Sequence, residues 1–103
     1  MEDIKQGIEK LIDKELERAN TLHPGFVDYH QAYAVIKEEY EEMVYELFHA
    51  IDNLNEFWDC VKDDNEKGAV KMLNEMEIYS KLATYEFIQF IAMIKKAKKI
   101  SER

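Results

Sequence analysis

Apolar side chains recur along the chain at steps of three and four residues, and nowhere does an alternating pattern persist. That spacing puts them on one face of a helix. Over residues 2–20 the apolar positions are Ile4, Ile8, Leu11, Ile12 and Leu16, which predicts a short amphipathic helix. The segment Asn20-Thr21-Leu22-His23-Pro24-Gly25 breaks it, because proline lacks a backbone donor and disfavours helix at His23. A second helix is expected from about Asp28 to Lys62, with Asp28 and Gln31 spaced as a capping box. Its apolar stripe is Tyr29, Tyr33, Ile36, Tyr40, Met43, Leu47, Ile51, Leu54, Trp58 and Val61. Asp63-Asp64-Asn65-Glu66 is rich in cap formers, with Asp63 and Glu66 again spaced as a capping box. A third helix is expected over about 66–99, its stripe running Ala69, Leu73, Met76, Ser80, Ala83, Phe87, Phe90, Ile94, Ala97.

A short break between two long helices makes them fold back antiparallel. The expectation is an all-α fold and a single domain over 1–103. An N-terminal helix and linker occupy 1–22, and a long helical hairpin occupies 26–99. With three glycines and one proline, little interrupts the helices.

Charge and cysteine content narrow the function. Charged residues make up 35% of the chain and the net charge is −8, which argues against a nucleic-acid polymer as partner. The same charge suits a site that collects cations. The single cysteine, Cys60, forms no intramolecular disulfide and fits a reducing compartment. Glu2-Asp3-Ile4-Lys5 is not the opening of a signal peptide, and the apolar stretch Tyr85–Ile94 is too short for a bilayer. A cytoplasmic protein without a membrane partner is expected.

Two features fit a plain bundle poorly. Glu39, Glu42 and Glu46 form a row on the second helix beside its apolar stripe, continued by His49 and Asn53. Taken alone, such a row reads as a solvated face. On the third helix, Tyr85–Ile94 is apolar on all sides except at Glu86 and Gln89, and a helix apolar all round is normally buried all round. A carboxylate there is costly unless something pairs with it. In an antiparallel hairpin centred on Asp64, Glu42 stands level with Glu86, and Glu39 with Gln89. Two carboxylates ~4 Å apart repel by about 4 kcal/mol at an effective dielectric of 20, and a divalent cation reverses the sign. Oxygen ligands without Cys or His point to Mg²⁺ or Mn²⁺.

Glu38-Glu39-Tyr40-Glu41-Glu42 and Glu86-Phe87-Ile88-Gln89 resemble the Glu-Glu-x-x-Glu and Glu-x-x-Asp motifs of the all-α MazG-like nucleotide pyrophosphohydrolases, with Gln89 in place of the aspartate. His30-Gln31-Ala32-Tyr33-Ala34-Val35 and Gln89-Phe90-Ile91-Ala92-Met93 resemble segments of short phage and prophage members. The resemblance covers about two thirds of the chain. Besides Gln89, the gap from Glu42 to Glu86 departs from the family, being longer than usual.

The resemblance implies Mg²⁺-dependent hydrolysis of a nucleoside triphosphate to monophosphate and pyrophosphate, in a bacterial or phage-infected cell. It implies Glu39, Glu42, Glu86 and Gln89 as metal ligands and Glu38 as the residue that positions or deprotonates water. It also offers Lys95 or Lys96 for phosphate and Tyr33 and Trp58 for the base. Lys95, Lys96, Lys98 and Lys99 also read simply as a solvated cap at the negative end of the helix dipole. Family members complete their bundle by forming homodimers or homotetramers. The alternative is a catalytically degenerate MazG-like helical protein acting as a binding module, which the Gln89 substitution favours. His49 is either a partner of the acidic row or a surface residue. Cys60 has no base placed to activate it.

Overall fold

The computed structural model describes residues 3–103 and is all-α. Helix α1 spans Ile4–Leu22, α2 spans Tyr29–Lys62, α3 spans Glu66–Lys98, and a 3-10 turn follows over Lys99–Glu102. These bounds lie within two residues of those the apolar periodicity predicts. Among the described residues there is no strand, and no helix is long and apolar enough to cross a membrane.

The caps show why the helices start and stop where they do. Asp3 accepts from the Gln6 amide at 2.9 Å while the Gln6 side chain takes the Asp3 amide, a complete capping box. At α2 the box is skewed by one residue. Asp28 accepts from the Gln31 amide at 2.9 Å, but the Gln31 side chain reaches back to the amide of Val27 at 2.6 Å. Between α2 and α3 the capping residue is Asn65, not Asp63: its side chain accepts from the Gly68 amide at 2.9 Å. Asp64 there has φ 53, in the left-handed region. Its amide donates to Val61 at 3.2 Å and the Asn65 amide to Cys60 at 2.9 Å, which together make a Schellman ending for α2.

The chain divides into two compact units. The first comprises α1, the strap 23–28, α2 as far as Glu41, and Glu86–Arg103. It owns the larger core: Ile12, Phe26, Ala32, Ala92 and Met93 are buried, with Leu16, Val35, Ile88 and Ile91 packed around them. Only the second half of α1 takes part, and Ile4 is left 81% exposed. The strap is held by Lys96, whose Nζ donates to the His23 carbonyl at 2.6 Å, and by Arg103, which donates to the Val27 carbonyl at 3.0 Å.

The second unit is Glu42–Tyr85, a two-helix hairpin. Its level pairs follow the expected register. The ring of His49 stacks on Tyr79 with centroids 4.7 Å apart, and Asn53 donates to Glu75 at 3.1 Å. The seam is not the expected one. Met43, Ala50, Asn53 and Met72 are buried, whereas Leu47, Ile51, Leu54, Trp58, Val61 and Leu73 of the regular stripes are exposed. The physical reason is size: small and flexible residues let two helices approach, and the bulky stripe turns aside onto a face that two helices alone cannot cover. The seam is partly polar, and within it Glu46 Oε2 and Asn53 Oδ1 are buried with no hydrogen-bond partner.

The segment expected to be buried on all sides is not. Ala92 and Met93 are buried, but Tyr85, Phe87 and Ile94 remain exposed. In the first unit the core takes up one side of this stretch of α3 and leaves the other open.

Candidate functional site

In the first unit, Glu39 of α2 and Glu86 of α3 converge, whereas Glu42 falls in the second unit. Glu39 and Glu86 each offer a carboxylate oxygen, and the two lie within 4.8 Å of each other. Glu39 and Glu86 are half-buried and Glu42 is exposed. Charges at that spacing repel by about 3 kcal/mol per pair at an effective dielectric of 20. Glu38 is exposed and outside this group.

Glu39 and Gln89 also line a cleft of about 450 Å³ in the first unit. Its apolar wall includes Leu22, Phe26, Val35 and Met93, and its polar wall includes Glu15, Arg18, Gln31 and Lys96. Helix α1 thus brings in two charged residues that sequence reasoning missed, Glu15 and Arg18. They pair with each other, Arg18 Nε donating to Glu15 at 3.2 Å. Their i, i+3 spacing was visible in the sequence, but nothing there says which part of α3 this face of α1 meets. The Gln89 amide donates to Glu15 Oε1 at 3.4 Å. That contact suits an amide at position 89: an aspartate would set a second negative charge against Glu15, whereas the amide offers it a donor.

The two lysines separate. Lys95 is drawn to the outer face of α1, with Nζ 2.7 Å from Asp13 and 3.8 Å from Glu9. The hydrogen bond to Asp13 holds its pKa above the usual lysine value. Lys96 lines the cleft, and burial holds its pKa below the usual value. Tyr33 is exposed, and Trp58 is 58% exposed with Lys62 Nζ 5.7 Å from its ring; neither lines the cleft. His49 lies between Tyr45 and Tyr79, in ring contact with both. Cys60 is a free thiol beside the Asn65 cap.

Comparison with known proteins gives no match among family models, curated proteins or solved structures.

Proposed function

We propose that this chain is a MazG-like, Mg²⁺-dependent nucleoside triphosphate pyrophosphohydrolase that splits the anhydride between the α- and β-phosphorus with water. The observation that carries this reading is the convergence of Glu39 and Glu86, one from each motif, with Glu39 also on the wall of a cleft. Hard carboxylate oxygens suit Mg²⁺ or Mn²⁺, and on this reading Glu39, Glu86 and Glu42 would hold it. Such an ion, when bound, neutralises phosphate charge and lowers the pKa of water. The chain's own share is to orient. Glu38, exposed on α2, would position the water, and Lys96 is the lysine that lines the cleft. Gln89 serves through its amide oxygen only if it keeps its donor on Glu15.

One observation favours the second reading, a degenerate binding module. Gln89 is engaged by Glu15, so the fourth ligand position is neutral and already has a partner.

Self-association belongs to both readings. The second unit buries few apolar residues and exposes Leu47, Ile51, Leu54, Trp58, Val61 and Leu73. A second hairpin laid on that face would complete a four-helix core.

Calorimetric titration of Mg²⁺ and Mn²⁺ into chelator-treated protein, repeated with Glu86→Ala, tests the site. Millimolar or tighter binding that disappears in the variant supports it, and a screen of nucleoside triphosphates for released pyrophosphate then tests the reaction. Absence of binding in a folded protein removes the metal-dependent reading and leaves the binding module.

A further inference from the structure

Lys96 is the most deeply buried charged side chain described, at 5% exposure. It sits two turns past Gln89 on α3 and on the same helical face as Met93, so it points with them into the cleft of the first unit. Its ammonium donates to the His23 carbonyl at 2.6 Å and lies 4.7 Å from the centroid of the Phe26 ring. Both partners are polar or polarisable, and neither carries a formal charge. Among the described residues no carboxylate stands within ion-pair distance of it. The ammonium has three N–H donors, of which the His23 carbonyl takes one.

A buried cation without a counter-ion is costly, and proteins normally pair it. Here the space beside it is a cleft of about 450 Å³, within the range of small-molecule sites. The groups that line it constrain what fits. From α1 come Glu15 and Arg18, already paired with each other. From α2 comes Glu39, from the strap His23, and from α3 Gln89. Two carboxylates in the wall disfavour a ligand with several negative charges, while Lys96 calls for one. Leu22, Phe26, Val35 and Met93 offer the rest of the ligand an apolar surface.

We propose that this cleft binds a small organic monoanion, its single carboxylate or phosphate-type headgroup seated on the Lys96 ammonium and its flat apolar body against Phe26, Leu22, Val35 and Met93. The seat shares its cleft and Lys96 with the hydrolase reading, but it requires neither a metal ion nor the Glu86 carboxylate. The anion takes the donors that His23 leaves and supplies the missing counter-charge. It also bridges α3 to the strap, so binding tightens residues 23–28.

The test is an amide-resolved NMR titration of the full chain in excess chelator, which keeps metal out of the result. The probes are benzoate and adenosine 3′,5′-cyclic monophosphate, each a monoanion at neutral pH, with benzamide and adenosine as their uncharged counterparts. Saturable shifts at Leu22, Phe26 and Gln31 are expected with at least one anion, at least tenfold tighter than with its neutral counterpart. Benzoate alone identifies a carboxylate ligand, and the nucleotide alone a phosphate ester; either supports the seat. Lys96→Met should weaken binding at least tenfold while circular dichroism stays helical. Leu22→Trp, which enlarges a side chain lining the cleft and leaves the lysine in place, should weaken it too, so the result does not hang on one variant folding. Equal binding of charged and neutral probes, undiminished binding in Lys96→Met, or no saturable shift with either anion would overturn the proposal.

Discussion

The side-chain amide of Asn53 donates to Glu75 at 3.1 Å across the hairpin, while its own oxygen, buried in the same seam, accepts from nothing. An unsatisfied buried acceptor costs about 1–3 kcal/mol. Asn53 is 6% exposed and branches at the γ-carbon as leucine does. Asn53→Leu is therefore expected to stabilise the protein by about 1 kcal/mol, since Glu75 is only partly buried and can turn to water. Urea denaturation reads the change; a loss of stability would mean that the Glu75 bond outweighs the orphaned oxygen.

At the end of α2, Asp64 holds a left-handed conformation that favours glycine. Asp64→Gly should raise stability by about 0.5–1 kcal/mol, the local strain relieved exceeding the extra chain entropy. Asn65→Ala should lower it by about 1 kcal/mol through loss of the cap on Gly68. Paired thermal melts of the two variants, moving in opposite directions, check both.

The contact between Gln89 and Glu15 gives a third expectation. Gln89→Asp should destabilise the metal-free protein by about 1 kcal/mol, and Glu15→Gln in the same chain should restore most of it. A double-mutant cycle measured in chelator isolates the coupling. Additive effects would mean that the two side chains do not meet in solution.

Lys95 links α3 to Asp13 and Glu9, and its folded pKa is raised. A raised folded pKa makes the contribution full below the unfolded lysine value of 10.5 and lost as pH climbs through the folded one. Lys95→Met should therefore destabilise at pH 7, and its deficit should close as pH climbs through the raised folded value. Denaturation midpoints of both proteins across that range give the answer.

The exposed stripe of the second unit predicts an unfolding midpoint that rises with protein concentration. Leu54→Glu should abolish that dependence, and sedimentation velocity should show the change in mass. A midpoint independent of concentration from micromolar to millimolar would leave the face without a second copy.

Element bounds could be read from the sequence because few breakers occur, and those present, Pro24-Gly25 and Asp63-Asp64-Asn65, mark real ends. Antiparallel arithmetic places His49 level with Tyr79 and Asn53 level with Glu75 in the second unit. Rotation did not follow. The most regular stripe, Leu47 to Val61, looked like the seam because hydrophobicity was weighed without size, whereas the helices approach over Ala50 and Met72. The cleft was beyond reach for another reason. Its charged wall comes from Glu15 and Arg18 on α1, and no periodicity links α1 to a level on α3. Lys95 and Lys96 are neighbours of identical type, and only their positions 100° apart around the helix send one to solvent-facing acids and the other inward.

At the Asn65 cap, the Asn65 side chain lies 4.0 Å from the Cys60 sulfur, and a β-carbon on Gly68 would fall 2.9 Å from that sulfur. The turn thus closes one side of a thiol that keeps intermediate exposure on the other. Cys60 becomes a gauge: a maleimide or iodoacetamide reacts with it faster the more often cap and turn come apart. A change in that rate between conditions reads the opening of this end of the molecule with no substitution introduced.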